Sequence, residues 1–223
     1  TGRIQVKLKT FEEYQSKMAD ADFLIIPSEE ITNNVGGNTP VHINATNLRE
    51  FIPPPNGATV AETMQQSVDA VLQQRERTGV PMFPHINHPN FYWAVTLEDM
   101  ISLKGERFFE VYNGHPMVRN YGDSVHMSTE IMWDKINIAY ANRNQPLMYG
   151  LATDDSHNYH EFGTAFSNAG RGWVMVQAER LDASSLINAM EAGNFYASTG
   201  VEFNTLLFEN NEIKIEIAKE KDI

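Results

Sequence analysis

The chain of 223 residues contains no cysteine. That absence excludes disulfides, thiolate metal sites and a cysteine nucleophile, and it leaves histidine nitrogen and carboxylate oxygen as the available metal ligands. Positive charge is scarce too: 17 Lys and Arg face 29 Asp and Glu, for a formal net charge of -12. Binding to nucleic acid needs a basic stripe along the phosphate backbone, so this balance argues against it. No apolar run approaches the ~18 residues a membrane span needs, and Thr1-Gly2-Arg3 does not open on a cationic leader, so a processed product or a fragment is expected. The expectation is a soluble protein of the bacterial cytoplasm or periplasm, with compartment and oligomeric state left open. A hydrophobic fraction of 42% and three tryptophans suit one packed globular core.

What is present is an alternation of apolar runs with capped helical patterns. Thr10 with Glu13, Thr59 with Glu62 and Thr96 with Asp99 have capping-box spacing, predicting helices over 10–21, 59–77 and 96–104, the second stopped by Gly79. Further helices are predicted over 128–142 and 182–192. Short strands are expected at 23–26, 40–45, 80–84, 107–112, 147–153 and 172–177. This β/α alternation marks a parallel sheet or barrel. The end of the chain differs, because 204–209 and 212–218 alternate in period two about Asn210-Asn211, which predicts a hairpin.

Polar residues collect where the predicted strands end, which is the catalytic rim of a β/α barrel. Glu30, His42, His88, Asp155 and His157 each follow an apolar run. In an extended chain residues two apart share a face, so Asp155 and His157 are expected to reach one point together. Three imidazoles and two carboxylates suit Zn, Mn or Fe. His85, three residues before His88, has the spacing of a supporting partner, and His115 and His160 are further rim candidates. His126 sits in a polar loop and reads as exposed. Arg171, between two glycines, is read either as a holder of an anionic substrate group or as a surface arginine. Phe91-Tyr92-Trp93 reads as core packing or as the wall of a pocket.

The ordered segments "IPSEEIT", "VHINA", "HINHPNFYW", "FFEVYNGHP", "LATDDSH" and "GRGWVMVQAERLDASSLINAMEAGNFYASTG" resemble the PHP (polymerase and histidinol phosphatase) metallohydrolases, in particular their CehA/McbA-like branch. The resemblance implies a distorted (β/α)7 TIM-like barrel over residues 1–203, incomplete at its N-terminus, with a C-terminal β-hairpin extension over 204–223. It implies one to three divalent ions (Zn, Mn or Fe) in the complete protein. The implied activity is hydrolysis of a small-molecule phosphoester, or of a carboxyl or carbamate ester, by a metal-activated water. The family's Gly-x-Glu-x-Ser element falls on residues 28–32, which makes Glu30 the bridging glutamate, although Ser28 stands where glycine is usual and Glu29 is adjacent. His42, the His-Pro histidine His88, and the pair Asp155 and His157 take the other metal roles. Asp155, His157 and Arg171 take the catalytic ones. The family's opening His-x-His has no counterpart here, so the resemblance implies a chain with its N-terminal segment cut off. Glu30, His42 and His88 would then hold one nearly complete site. The alternative is a PHP-like module that binds metal, or serves structurally, without turnover.

Overall fold

Helices begin where side chains can satisfy the free amides of a first turn. A computed structural model describes Lys7, residues 9–18, Asp20 and residues 22–219. Helix α1 runs Phe11–Met18 with the Glu13 carboxylate accepting from the Thr10 amide at 2.8 Å. It stops short of the predicted end at 21, and Ala19 and Ala21 lie outside the described residues. Helix α2, Val60–Thr78, is capped by Thr59 and closed by Gly79 at φ 66, a left-handed position that glycine takes without strain. Helix α3, Leu97–Ser102, has a full capping box between Thr96 and Asp99. Thr96→Ala is expected to cost about 1 kcal/mol in urea unfolding while leaving metal uptake unchanged. Ser128 caps α4, Thr129–Asn142, and Asp182 caps α5, Ala183–Glu191. Among the described residues no helix is long and apolar enough to cross a membrane.

The strands overturn the expected barrel. Strand β1, Ser28–Val35, turns back through Gly36 and Gly37 into β2, Thr39–Thr46, as an antiparallel hairpin. Strand β3, Phe83–Ile86, is also antiparallel to β2. Only β4, Phe108–Asn113, and β5, Tyr149–Thr153, continue it in parallel. The result is an open five-stranded sheet in the order β1-β2-β3-β4-β5. Two antiparallel pairs stand apart from it: β6, Trp173–Val176, with β7, Phe195–Ser198, and β8, Phe203–Glu209, with β9, Glu212–Ile217. The turn of the last hairpin puts Asn210 and Asn211 at φ 53 and 62, as a two-residue type I′ connection requires.

The physical reason is local. A parallel barrel needs a crossover between successive strands, whereas the two glycines at 36 and 37 adopt positive φ and return the chain at once. Residues 23–26, predicted as a strand, form no ladder apart from a single bridge from Phe23 to Asp20, and Phe23 is half exposed. The strand lies instead in the polar stretch after Pro27.

One face of the five-stranded sheet is apolar. Ile31, Val41, Ile43, Ile86 and Phe109 are buried there against Met64, Val68 and Val71 of α2, Met100 of α3 and Ile136 of α4. Phe83, Phe108 and Leu151 form a second cluster with Ile187 and Met190 of α5. A register slip of one residue would carry Ile31 or Ile43 to the wrong face, so burial fixes the β1–β2 pairing. The opposite face of β1, β2 and β3 is thereby fixed as well. It carries Glu30, Thr32, His42, Asn44 and His85.

Candidate metal centre

The hairpin register places Thr32 opposite His42 and Glu30 opposite Asn44. Glu30 and His42 are therefore diagonal neighbours on one face, within reach of each other's side chains. His42 Nδ1 lies 3.2 Å from Glu30 Oε1. His88 enters two residues past β3, where its ring meets that of His42 edge-on with centroids 5.1 Å apart. One ligand atom from each of Glu30, His42 and His88 lies within 4.8 Å of the others. Phe91 packs its ring 5.0 Å from that of His88 and 6.2 Å from that of His42. Glu29 points to the other side of the sheet, where it accepts from the Ile52 amide at 3.1 Å.

The His42 imidazole beside it holds the Glu30 carboxyl below the usual carboxylate range; burial opposes this and the charge of His88 adds to it. Because the 3.2 Å approach is poorly angled for a hydrogen bond, His42 Nδ1 is left buried without an aligned partner. Burial pushes the His88 imidazole down, toward the neutral form that binds metals. Two imidazoles, one carboxylate and an unpaired buried nitrogen fit Zn, Mn or Fe(II), and three protein ligands leave positions open for water or substrate.

The ligands are held by groups that the sequence reading did not single out. Asn87 Nδ2 donates to Glu30 Oε1 at 2.9 Å and to Asn44 Oδ1 at 3.2 Å, while its Oδ1 accepts from the Asn44 amide at 2.9 Å. Glu110 is buried within β4 and gathers three strand ends. It accepts from the His88 amide at 2.7 Å, Asn113 Nδ2 at 2.8 Å and Thr153 Oγ1 at 2.8 Å. His85 Nε2 stands 3.5 Å from its Oε1. Burial alone would raise Glu110, but His85, the charge of His88 and the Asn113 amide hold it down at about 2. A lone acid inside the apolar run Phe108-Phe109-Glu110-Val111 was the available signal, because Glu is almost never buried unless paired.

Asp155 and His157 do come together, His157 Nδ1 lying 3.4 Å from Asp155 Oδ1, but beyond the strand and not along an extended chain. Strand β5 ends at Thr153, and Asp155 takes a left-handed conformation at φ 47. Its Oδ2 lies 3.9 Å from His88 Nε2 and 3.3 Å from Asn113 Nδ2. His157 stays outside, with its side chain 62% exposed and its ring 5.4 Å from that of His115. Arg171 donates to the carbonyl of Gly163 and lays its Cβ against Gly114, so its guanidinium braces the loop after β5. His126 stacks on Trp93 at 4.0 Å and bonds Asp123, and His160 is exposed. Compared with known proteins, the chain matches no family model, no curated protein and no solved structure.

Proposed function

We propose that this protein is a metal-dependent hydrolase of small-molecule esters, with Glu30, His42 and His88 holding a divalent ion. The observation that carries the reading is the convergence of those three ligand atoms within 4.8 Å. The order of motifs shared with the PHP metallohydrolases supports it independently, and that kinship is proposed here without the barrel. Glu30, His42 and His88 would hold such an ion, which when bound would supply a water acidified toward a pKa of about 7 and polarise an ester oxygen.

The chain's own residues supply the rest. Asn87 fixes the Glu30 carboxylate, and the hydrogen bond from the His88 amide to Glu110 fixes the segment that presents the His88 ring. Asp155, 3.9 Å from His88 Nε2, offers a carboxylate oxygen that can take a proton from attacking water. Phe91 screens the imidazoles on one side. Arg171 commits one N–H to the Gly163 carbonyl, and the chain carries a net charge of -12; both favour carboxyl or carbamate esters over phosphoesters.

Elemental analysis after purification without chelator should find stoichiometric Zn, Mn or Fe. With Zn or Mn added, p-nitrophenyl acetate should be cleaved faster than p-nitrophenyl phosphate. His88→Ala should weaken metal binding by at least ~100-fold, beyond the ~10–100-fold typical of losing a mere supporting group, and should abolish turnover with the circular dichroism unchanged. Metal uptake without turnover of either ester would leave a binding module. Absence of uptake would remove the reading altogether.

A further inference from the structure

The last hairpin has two unlike faces. Cross-strand partners share a face, and the β8–β9 register pairs Phe203 with Ile217, Leu206 with Ile215 and Phe208 with Ile213. On the other side Thr205 pairs with Glu216, Leu207 with Lys214 and Glu209 with Glu212. An irregularity between Phe203 and Thr205 keeps Phe203 on the apolar side, as an extra residue in one strand does. One face therefore consists of six apolar side chains without a charge. The other, apart from Leu207, is polar and mostly acidic.

The apolar face is open. Leu206, Phe208, Ile213, Ile215 and Ile217 are between 40% and 69% exposed, although a two-stranded ribbon is marginal by itself in water. It is tied to the body at its base, where the Phe203 ring stacks on that of Tyr196 at 4.4 Å and the Phe203 amide donates to the Tyr196 hydroxyl at 2.8 Å. Beside β8 runs a groove of about 680 Å³ whose walls include Met175, Tyr196, Phe203, Leu206 and Phe208. Ile213, Ile215 and Ile217 of β9 do not line it. A small apolar ligand in the groove would leave the β9 half of the face in water, so the occupant must span both strands.

We propose that this face packs against the same face of a second copy, the two hairpins forming a four-stranded sandwich about a two-fold axis. At about 200 Å² for a large apolar side chain, the exposed fractions amount to about 500–600 Å² per copy and about 1,000–1,200 Å² between two, enough for a stable interface. Charge selects the same partner. Each chain carries a net charge of -12, so two copies repel over most of their surfaces and can approach where no charge is carried. The acidic faces of the hairpins then stay outside, in water. The Leu206–Ile215 pair, flanked by the other two apolar pairs, lies at the centre of the contact. Nothing in this arrangement depends on the metal centre.

The test is analytical ultracentrifugation of the 223-residue chain, which should sediment as a dimer at micromolar concentrations and above. Added salt should tighten the association, because the contact is uncharged and salt screens the repulsion between the chains. Phe208→Glu and Ile215→Glu each place a charge in the contact and should weaken the dimer by ~100-fold or more, with the circular dichroism unchanged. The chain has no cysteine, so Ile215→Cys and Lys214→Cys carry one thiol each, on opposite faces. A short bismaleimide should join two copies of Ile215→Cys and leave Lys214→Cys unjoined. Equal cross-linking of the two, a dimer that dissociates in salt, or one that survives both glutamate substitutions would overturn the proposal. So would a monomer at these concentrations, and an apolar dye bound in its groove would put a small ligand there instead.

Discussion

Glu106→Gln should be close to neutral near pH 5 and should stabilise the protein by about 3–5 kcal/mol above pH ~8, as read by urea unfolding at both pH values. Glu106 precedes β4 and is buried, and burial pushes its carboxyl up from 4.5 to about 8 against two backbone hydrogen bonds from Arg107 and Phe108. Its Oε2 is buried without a partner. The neighbouring Arg107 guanidinium is directed to the Glu191 carbonyl and the Tyr149 ring. The folded chain therefore binds this proton more tightly than the unfolded chain does. Stability is undisturbed below the unfolded value and is lost as pH rises toward the folded one, at about 1.4 kcal/mol per pH unit across that window. Glutamine keeps the accepting oxygen and removes the titration. Parallel pH profiles for the two proteins would show that Glu106 is not held neutral in the fold.

The opposite result is expected at Glu110, four residues along the chain. Glu110→Gln removes the charge and replaces an oxygen by an amide nitrogen, which at the Oε2 position would face two donors and is therefore confined to the Oε1 position, where the Thr153 hydroxyl must turn to accept. Glu110→Ala leaves the His88 amide, Asn113 and Thr153 without their acceptor. The loss should be about 2–3 kcal/mol for the glutamine and about 3–5 kcal/mol for the alanine, the range for leaving buried polar groups unpaired. Because the His88 amide and, through Asn113, Asp155 depend on this carboxylate, zinc affinity should fall ~10–100-fold in the glutamine variant under conditions where it remains folded. A competition titration with a chromophoric chelator reads that change. Unaltered affinity would mean that Glu110 supports the sheet and not the metal centre.

Caps were readable in the sequence because they act over three residues. Thr59, Thr96 and Gly79 bound their helices in the structure as their spacing predicted, and the predicted starts at 128 and 182 fall on the caps Ser128 and Asp182. Strand direction was not readable, since an apolar run carries no mark of whether its neighbour is parallel. The β1–β2 hairpin shows the consequence. Ser28-Glu29-Glu30 looked like the polar end of a strand, yet it begins one, because one face of β1 is polar along its length while Ile31 faces the core. Glu30, His42 and His88 could be singled out because acids and imidazoles beside apolar runs are conspicuous. Asn87 and Asn113 were not, because asparagines close to strand ends are ordinary turn residues until the hydrogen bonds are seen. His157 was placed beside Asp155 by strand alternation, whereas the two meet beyond the strand, after a left-handed turn at Asp155.

The hairpin also sets an order of events during folding. Glu30 and His42 are twelve residues apart and are brought together by one tight turn, whereas His88 must close a much longer loop across α2. Hairpins form in about 1–10 μs, well ahead of contacts that need extensive chain closure. Two of the three proposed ligands are therefore paired early, in a chain whose sheet is still incomplete. A metal ion present during refolding meets a two-ligand claw before it meets a site. Zinc added at the start of refolding should bind this intermediate and speed the arrival of His88, while zinc added afterwards can only enter the finished centre.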